Sequence, residues 1–99
     1  MSKYHHIILF RIKDGVSDDV HQKALIALRK LGQGHPGLET WQVHESIDTR
    51  KGQILIQEGV FATEEDFKRF QDSEIHAEVG NIMKEIADWW IGDYLAPSA

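Results

Sequence analysis

Two hydrophobic periods alternate along this chain, and the points where one gives way to the other mark out its elements. From His5 to Lys13 the residues are β-branched or aromatic with a period of two. His6, Ile8, Phe10 and Ile12 fall on one face, and His5, Ile7, Leu9 and Arg11 on the other, which reads as a strand. Asp14-Gly15 is a turn signal. Ser17 then offers an N-cap, with Asp18 and Asp19 complementing the helix dipole. Val20, Ala24, Ala27, Leu28 and Leu31 recur at helical spacing until Gly32 and Gly34 end the run and His35-Pro36-Gly37 turns the chain. Leu38–Ser46 and Gln53–Phe61 read as two strands joined by the polar Asp48–Gly52 loop, with Trp41 and Val43 on one face of the first.

Helical period returns at Thr63, which with Asp66 three residues on forms a carboxylate variant of the capping box. Phe67 and Phe70 are the apolar contacts of that segment. A break near Asp72-Ser73 precedes a second helical stretch whose buried stripe is predicted as Ile75, Val79, Ile82, Met83 and Ile86. A last strand follows from Asp88 to Leu95, and Pro97 opens a short tail. The order is β-α-β-β-α-β, an α+β arrangement in a single domain over residues 1–99.

The first and third strands are apolar on both faces: Ile54, Ile56 and Val60 alternate with Leu55, Gly59 and Phe61. Helices crossing one side of a sheet cover only that side, and an antiparallel sheet with a free face carries polar residues there. The uncovered face therefore calls for a second, identical sheet, so the chain is expected to form a homodimer.

Composition narrows the function. With 11 Lys and Arg against 16 Asp and Glu, and no basic cluster, the chain lacks the cationic track that nucleic acid requires. No cysteine is present, which removes disulfides, thiol nucleophiles and zinc ribbons. The short apolar run after Met1-Ser2-Lys3-Tyr4-His5-His6 has no cleavage site and cannot span a bilayer, so a cytoplasmic protein without membrane contact is expected. Phosphate-loop and dinucleotide motifs are absent, no His-x-x-x-His run exists, and neither a metal nor a cofactor is expected.

His6-Ile7-Ile8-Leu9-Phe10-Arg11-Ile12-Lys13-Asp14 resembles the opening strand of the stress-responsive dimeric α/β-barrel family. Phe61-x5-Phe67-x2-Phe70-x5-His76 with the following Ala77-Glu78-Val79, the Pro36-Gly37 turn and Asp93-Tyr94 fit the same family in order and spacing. The resemblance covers nearly the whole chain. It implies a ferredoxin-like monomer with an antiparallel sheet, two copies packing sheet to sheet into a barrel. It also implies a pocket between sheet and helices. The family includes plant polyketide cyclases in which a histidine matching His76 acts as base beside a tyrosine. That tyrosine falls at Phe70 here, and a second histidine often found in the family falls at Ser73, so the cyclase reaction itself is not implied.

On this frame the order of elements returns the last helix over the first strand, and His6 and His76 face one pocket. Ile8, Phe10, Leu28, Gln57, Phe61, Phe70, Trp89 and Ile91 are its expected ligand-binding lining, closed further by Leu55, Ala24 and Leu25. An apolar lining with a few convergent polar groups is the usual composition of a small-ligand site. Imidazole titrates near neutrality, which suits His76 to act as a base, with His6 or Gln57 hydrogen-bonding a carbonyl or enolate oxygen. Glu74 or Glu78 would orient an imidazole. Trp90 and Tyr94 are assigned to the dimer face, and His5, His21, His35 and His44 to the surface or turns. The expected function is cofactor-independent proton transfer, of cyclase or lyase type, on a small carbonyl or phenolic compound. Two alternatives stay open on the sequence: a non-catalytic dimeric module binding a small hydrophobic ligand or supporting stress tolerance, and a haem or quinol monooxygenase of the wider superfamily.

Overall fold

The computed structural model describes residues 2–97. Its elements are β1 (Ser2–Ile12), α1 (Asp18–Leu31), β2 (Leu38–Glu45), β3 (Ile54–Phe61), α2 (Glu64–Gln71), α3 (Glu74–Ile86), β4 (Ala87–Ile91) and β5 (Tyr94–Pro97). One antiparallel sheet runs in the order β2-β3-β1-β4, with β5 continuing beside β1. This is the ferredoxin-like α+β arrangement. Helices α1, α2 and α3 lie over one face of the sheet.

Strand pairing puts the period-two pattern of β1 to use. His6, Ile8, Phe10 and Ile12 are buried beneath the helices, together with Leu55, Gln57, Gly59 and Phe61 of β3. Burial of Ile8, Phe10, Leu28, Leu55, Phe61, Phe70, Val79 and Met83 forms one continuous core. At about 1.5–3 kcal/mol for each large side chain removed from water, this burial is what holds the helices down. Trp41 adds a specific anchor: its indole N–H donates to the Leu28 carbonyl at 3.0 Å. The ring lies so close over Gly32 that a Cβ at that position would overlap it.

Helix boundaries follow the capping residues. Ser17 Oγ accepts from Val20 N at 3.3 Å, and Thr63 Oγ1 accepts from Asp66 N at 3.1 Å. The reciprocal half of the predicted capping box is replaced by an ion pair, because the Asp66 carboxylate turns to Arg69. Ser73 makes the break between α2 and α3: its hydroxyl donates to Phe70 O at 2.7 Å and accepts from His76 N at 3.3 Å.

Three expected patterns are corrected. The buried stripe of α1 is His21, Ala24, Leu25, Leu28 and Leu31, with Val20 outside it. His21 is buried, not on the surface, because polar partners await it: Nδ1 lies 2.9 Å from Gln53 Oε1, and Nε2 lies 2.9 Å from Glu45 Oε1. In α3 only Val79, Met83 and Ile86 are buried, while Ile75 and Ile82 face outward. The last strand is interrupted at Gly92-Asp93, although β4 and β5 keep one register against β1.

Candidate active site

The interruption of the last strand builds the site. Gly92 N donates to Ile7 O at 2.9 Å, as in a continuous ladder. The return bond does not go to a backbone carbonyl: Ile7 N donates to the Asp93 side chain, to Oδ1, at 3.2 Å. Substituting a carboxylate for a ladder acceptor pins Asp93 at the edge of β1. There its Oδ2 also accepts from the Tyr4 hydroxyl at 2.7 Å, and Oδ1 lies 2.8 Å from His6 Nδ1. An ionised carboxylate only accepts, so the proton of neutral His6 sits on Nδ1 and the lone pair on Nε2.

Burial shapes both groups. Tyr4 is pushed up to about 12, first by desolvation, then by its hydrogen bond to and the charge of Asp93, with Glu64 adding a little, so the phenol stays a donor. His6 is pulled below the usual imidazole value because desolvation outweighs the attraction of Asp93 for the imidazolium. Among the described residues its buried Nε2 has no partner, and neither has Gln57 Oε1. The ring is flanked by Phe67, with centroids 4.8 Å apart.

His76 approaches from the helical side. As the third residue of α3 it is positioned by the Ser73 cap, and its ring meets Phe70 edge-on at 5.1 Å. It is half-buried, and its pKa is lowered by desolvation first and then by repulsion from His6 and His35, against a smaller pull from Asp72. The N-terminal end of a helix disfavours a cation as well. At neutral pH both imidazoles are therefore neutral bases.

These groups line one cavity of about 420 Å³ between the sheet and helices α2 and α3. His6, Ile8, Phe10, Leu28, Gln57, His76, Trp89 and Ile91 all border it. Phe61 and Phe70 do not: they are packed beneath it, essentially without exposure, and brace Phe67 and His76 instead. Leu55, Ala24 and Leu25 likewise belong to the core and not to the wall. Glu74 and Glu78 are exposed, and the carboxylate that orients an imidazole is Asp93. Sequence reasoning missed Tyr4, Phe67 and the rim formed by Glu64, Lys68 and Gln71. The period-two pattern carried a signal for Tyr4, because it lies two residues before His6 on the same face. Among the described residues no group of three or more His, Asp or Glu is arranged to hold a metal ion. No helix of the described residues is long and apolar enough to cross a membrane.

Two lowered imidazoles make stability depend on pH in a defined direction. An unfolded histidine titrates near 6.5, and the folded His6 and His76 titrate lower. Below the unfolded value the unfolded chain binds more protons, so the stabilisation is complete above about pH 6.5 and is lost as pH falls through the folded values. The melting temperature is expected to drop between pH 7.5 and 5, and to drop less in His76→Gln. Equal melting temperatures at both pH values would contradict neutral, buried imidazoles.

The stress responsive A/B barrel domain model matches residues 4–95, and the chain belongs to that family. No curated protein matches this chain. Among solved structures, a dimeric ferredoxin-like protein of unknown function from Thermobifida fusca is similar at 22% identity and a TM-score of 0.86, over 96% of this chain and 92% of that one. The hydroxynitrile lyase of Passiflora edulis is similar at 17% identity and 0.83, over 98% and 95%. SnoaB, a cofactor-independent oxygenase from Streptomyces nogalater, is similar at 10% identity and 0.80, over 100% and 97%. At these identities the likeness is one of fold.

Proposed function

We propose that this chain is a homodimeric, cofactor-independent enzyme that moves a proton on a small carbonyl or phenolic compound, with His76 as the base. The observation that carries this reading is two neutral imidazoles bordering one largely apolar cavity, one of them locked in a single tautomer by Asp93. A lyase and a cofactor-independent oxygenase share the fold, which is consistent with chemistry run by side chains alone.

The roles follow from the lone pairs. His76 is reachable from the cavity and neutral, so its free ring nitrogen takes a proton from a carbon next to a carbonyl or from a hydroxyl. For a carbon acid the C–H electron pair becomes the enolate double bond, and charge gathers on the substrate oxygen. In its Asp93-fixed tautomer His6 presents a lone pair and cannot donate to that oxygen. The donor is the amide of Gln57. The imidazolium of His76 then returns the proton to carbon or to a leaving group, which closes the cycle without a cofactor.

Self-association is supported by the outer sheet face, where Leu9, Trp90 and Tyr94 are exposed in a single chain. The Thermobifida relative of the same fold is dimeric.

The test is exchange of α-protons for deuterium in small aryl ketones and acylphenols, followed by proton NMR in heavy water. The protein is expected to accelerate exchange of at least one of them well beyond an equal concentration of free histidine. No acceleration for any compound between pH 6 and 9 would remove the catalytic reading.

A further inference from the structure

We infer that the cavity recognises its ligand through a hydroxyl group that donates to His6, so that the substrate class is phenols and enols and not simple ketones. This rests on the proposed ligand-binding role of the cavity, and it is independent of whether His76 performs catalysis.

His6 is only 2% exposed, borders the cavity, and has no partner at Nε2 among the described residues. Buried polar atoms are nearly always paired, and leaving one unpaired is unfavourable. Nδ1–H donates to Asp93 Oδ1, so what Nε2 lacks is a donor. Tyr4 cannot serve, because its hydroxyl already donates to Asp93 at 2.7 Å. The missing donor is therefore complementary to an O–H group brought by a ligand.

Gln57 completes the recognition. Its register partner is Ile8, one step diagonal from His6 on the same face of the sheet, and Gly59 directly opposite His6 leaves that position without a side chain. The Gln57 amide is also buried, 1% exposed, and among the described residues its oxygen has no partner. An amide both donates and accepts. Both unpartnered atoms, His6 Nε2 and Gln57 Oε1, are acceptors, so each is complementary to a hydroxyl that donates. An ether or ketone oxygen accepts only, and it would set a lone pair against the lone pair of His6.

The Tyr4-Asp93-His6 chain sharpens the preference. Holding Asp93 by three hydrogen bonds fixes the imidazole tautomer before a ligand arrives, so the site is an acceptor in advance. Phenols carry the apolar ring that Ile8, Phe10, Trp89 and Ile91 are suited to cover.

Three probes of similar shape decide it: 4-ethylphenol, its isostere 4-ethyltoluene, and 4-ethylanisole, which accepts but does not donate. Binding is measured by ligand-observed NMR on the full chain. The phenol is expected to bind about tenfold to a hundredfold more tightly than either analogue, and the preference is expected to vanish in His6→Phe. Should that variant not fold, long-range ¹⁵N–¹H spectra of the histidine-labelled parent give the same answer: the phenol shifts Nε2 of His6, which carries no proton, and leaves protonated Nδ1 nearly unmoved. Equal binding of the three probes, stronger binding of the anisole, or a proton on Nε2 in the free protein would overturn the inference. Failure of proton exchange with retained phenol selectivity would remove the catalytic reading and leave this one standing. Exchange of simple ketones without any selectivity would do the opposite.

Discussion

His76→Ala is expected to lower the rate of proton exchange by about 10²- to 10⁴-fold, the usual contribution of a positioned general base. The fold should hardly notice. His76 is half-buried near the start of α3, where alanine is a better helix former. The substitution removes a single edge-on packing of the imidazole against Phe70. A stability change within about 1 kcal/mol beside a large fall in rate separates a catalytic group from a structural one. The pH profile gives a second, independent mark. Because burial and the neighbouring histidines lower His76, the neutral form persists below the ordinary imidazole value. The parent's rate should rise with pH to a midpoint under about 6.5 and be level by neutrality. Added imidazole should restore part of the activity of the alanine variant, since the vacated volume opens onto the cavity. A variant that exchanges protons as fast as the parent would transfer the role of base to another group. A variant that loses rate and fold together would leave His76 as a packing residue.

Most of the fold was legible in the sequence because each element states its own boundary. Ser17, Thr63 and Ser73 cap the helices at the positions where hydrophobic period changes, and Asp14-Gly15 and Pro36-Gly37 turn the chain. The two faces of β1 were readable for the same reason. Periodicity failed where a polar side chain finds a remote partner. His21 looks like a surface residue by local pattern, yet Gln53 and Glu45, more than twenty residues away, let it take a core position. Ile75 and Ile82 fit a helical stripe but lie on the flank of α3 that the sheet does not reach. Phe61 and Phe70 share the correct face with the cavity residues, and burial depth, which sequence does not encode, puts them under the wall.

The site was half visible. Two histidines and a glutamine among apolar residues marked a pocket, and the topology that brings them together followed from the order of elements. The partner that fixes His6 did not show. Asp93 sits 87 residues from His6, and it reaches the imidazole only because the strand breaks at Gly92. A continuous Asp88–Leu95 strand, as the pattern predicts, would have given that ladder bond to backbone. With Asp93 in place of a backbone acceptor, the absence of a tyrosine at Phe70 looks different. A phenol is present after all, supplied by Tyr4 and tied to the carboxylate, so that it acts on His6 instead of on a ligand.

Leu9→Glu is expected to convert the proposed homodimer into monomers. The register places Ile56, Leu9 and Trp90 in one row across three neighbouring strands on the face away from the helices. A second row joins Val60, His5 and Tyr94, with the last two rings stacked at 4.6 Å. In a single chain Leu9 is 40% exposed and Trp90 60%, an arrangement that leaves a broad apolar surface facing water. Such a surface on a small domain marks an association face. Around a two-fold axis the same rows meet their own copies, so one substitution enters the interface twice. An unpaired carboxylate buried there costs several kcal/mol per copy, which multiplies to a weakening of Kd by about 10⁴-fold or more. Within one chain the new side chain reaches solvent, and the helix-covered core beneath β1 is untouched. Light scattering on a gel-filtration column should therefore give twice the chain mass for the parent and the chain mass for the variant at micromolar concentration, with circular dichroism reporting whether the monomer keeps its secondary structure. A monomeric parent, or a variant as dimeric as the parent, would mean that this sheet face is not the interface. If the variant is instead monomeric and still folded, proton exchange measured on it shows whether the cavity works alone.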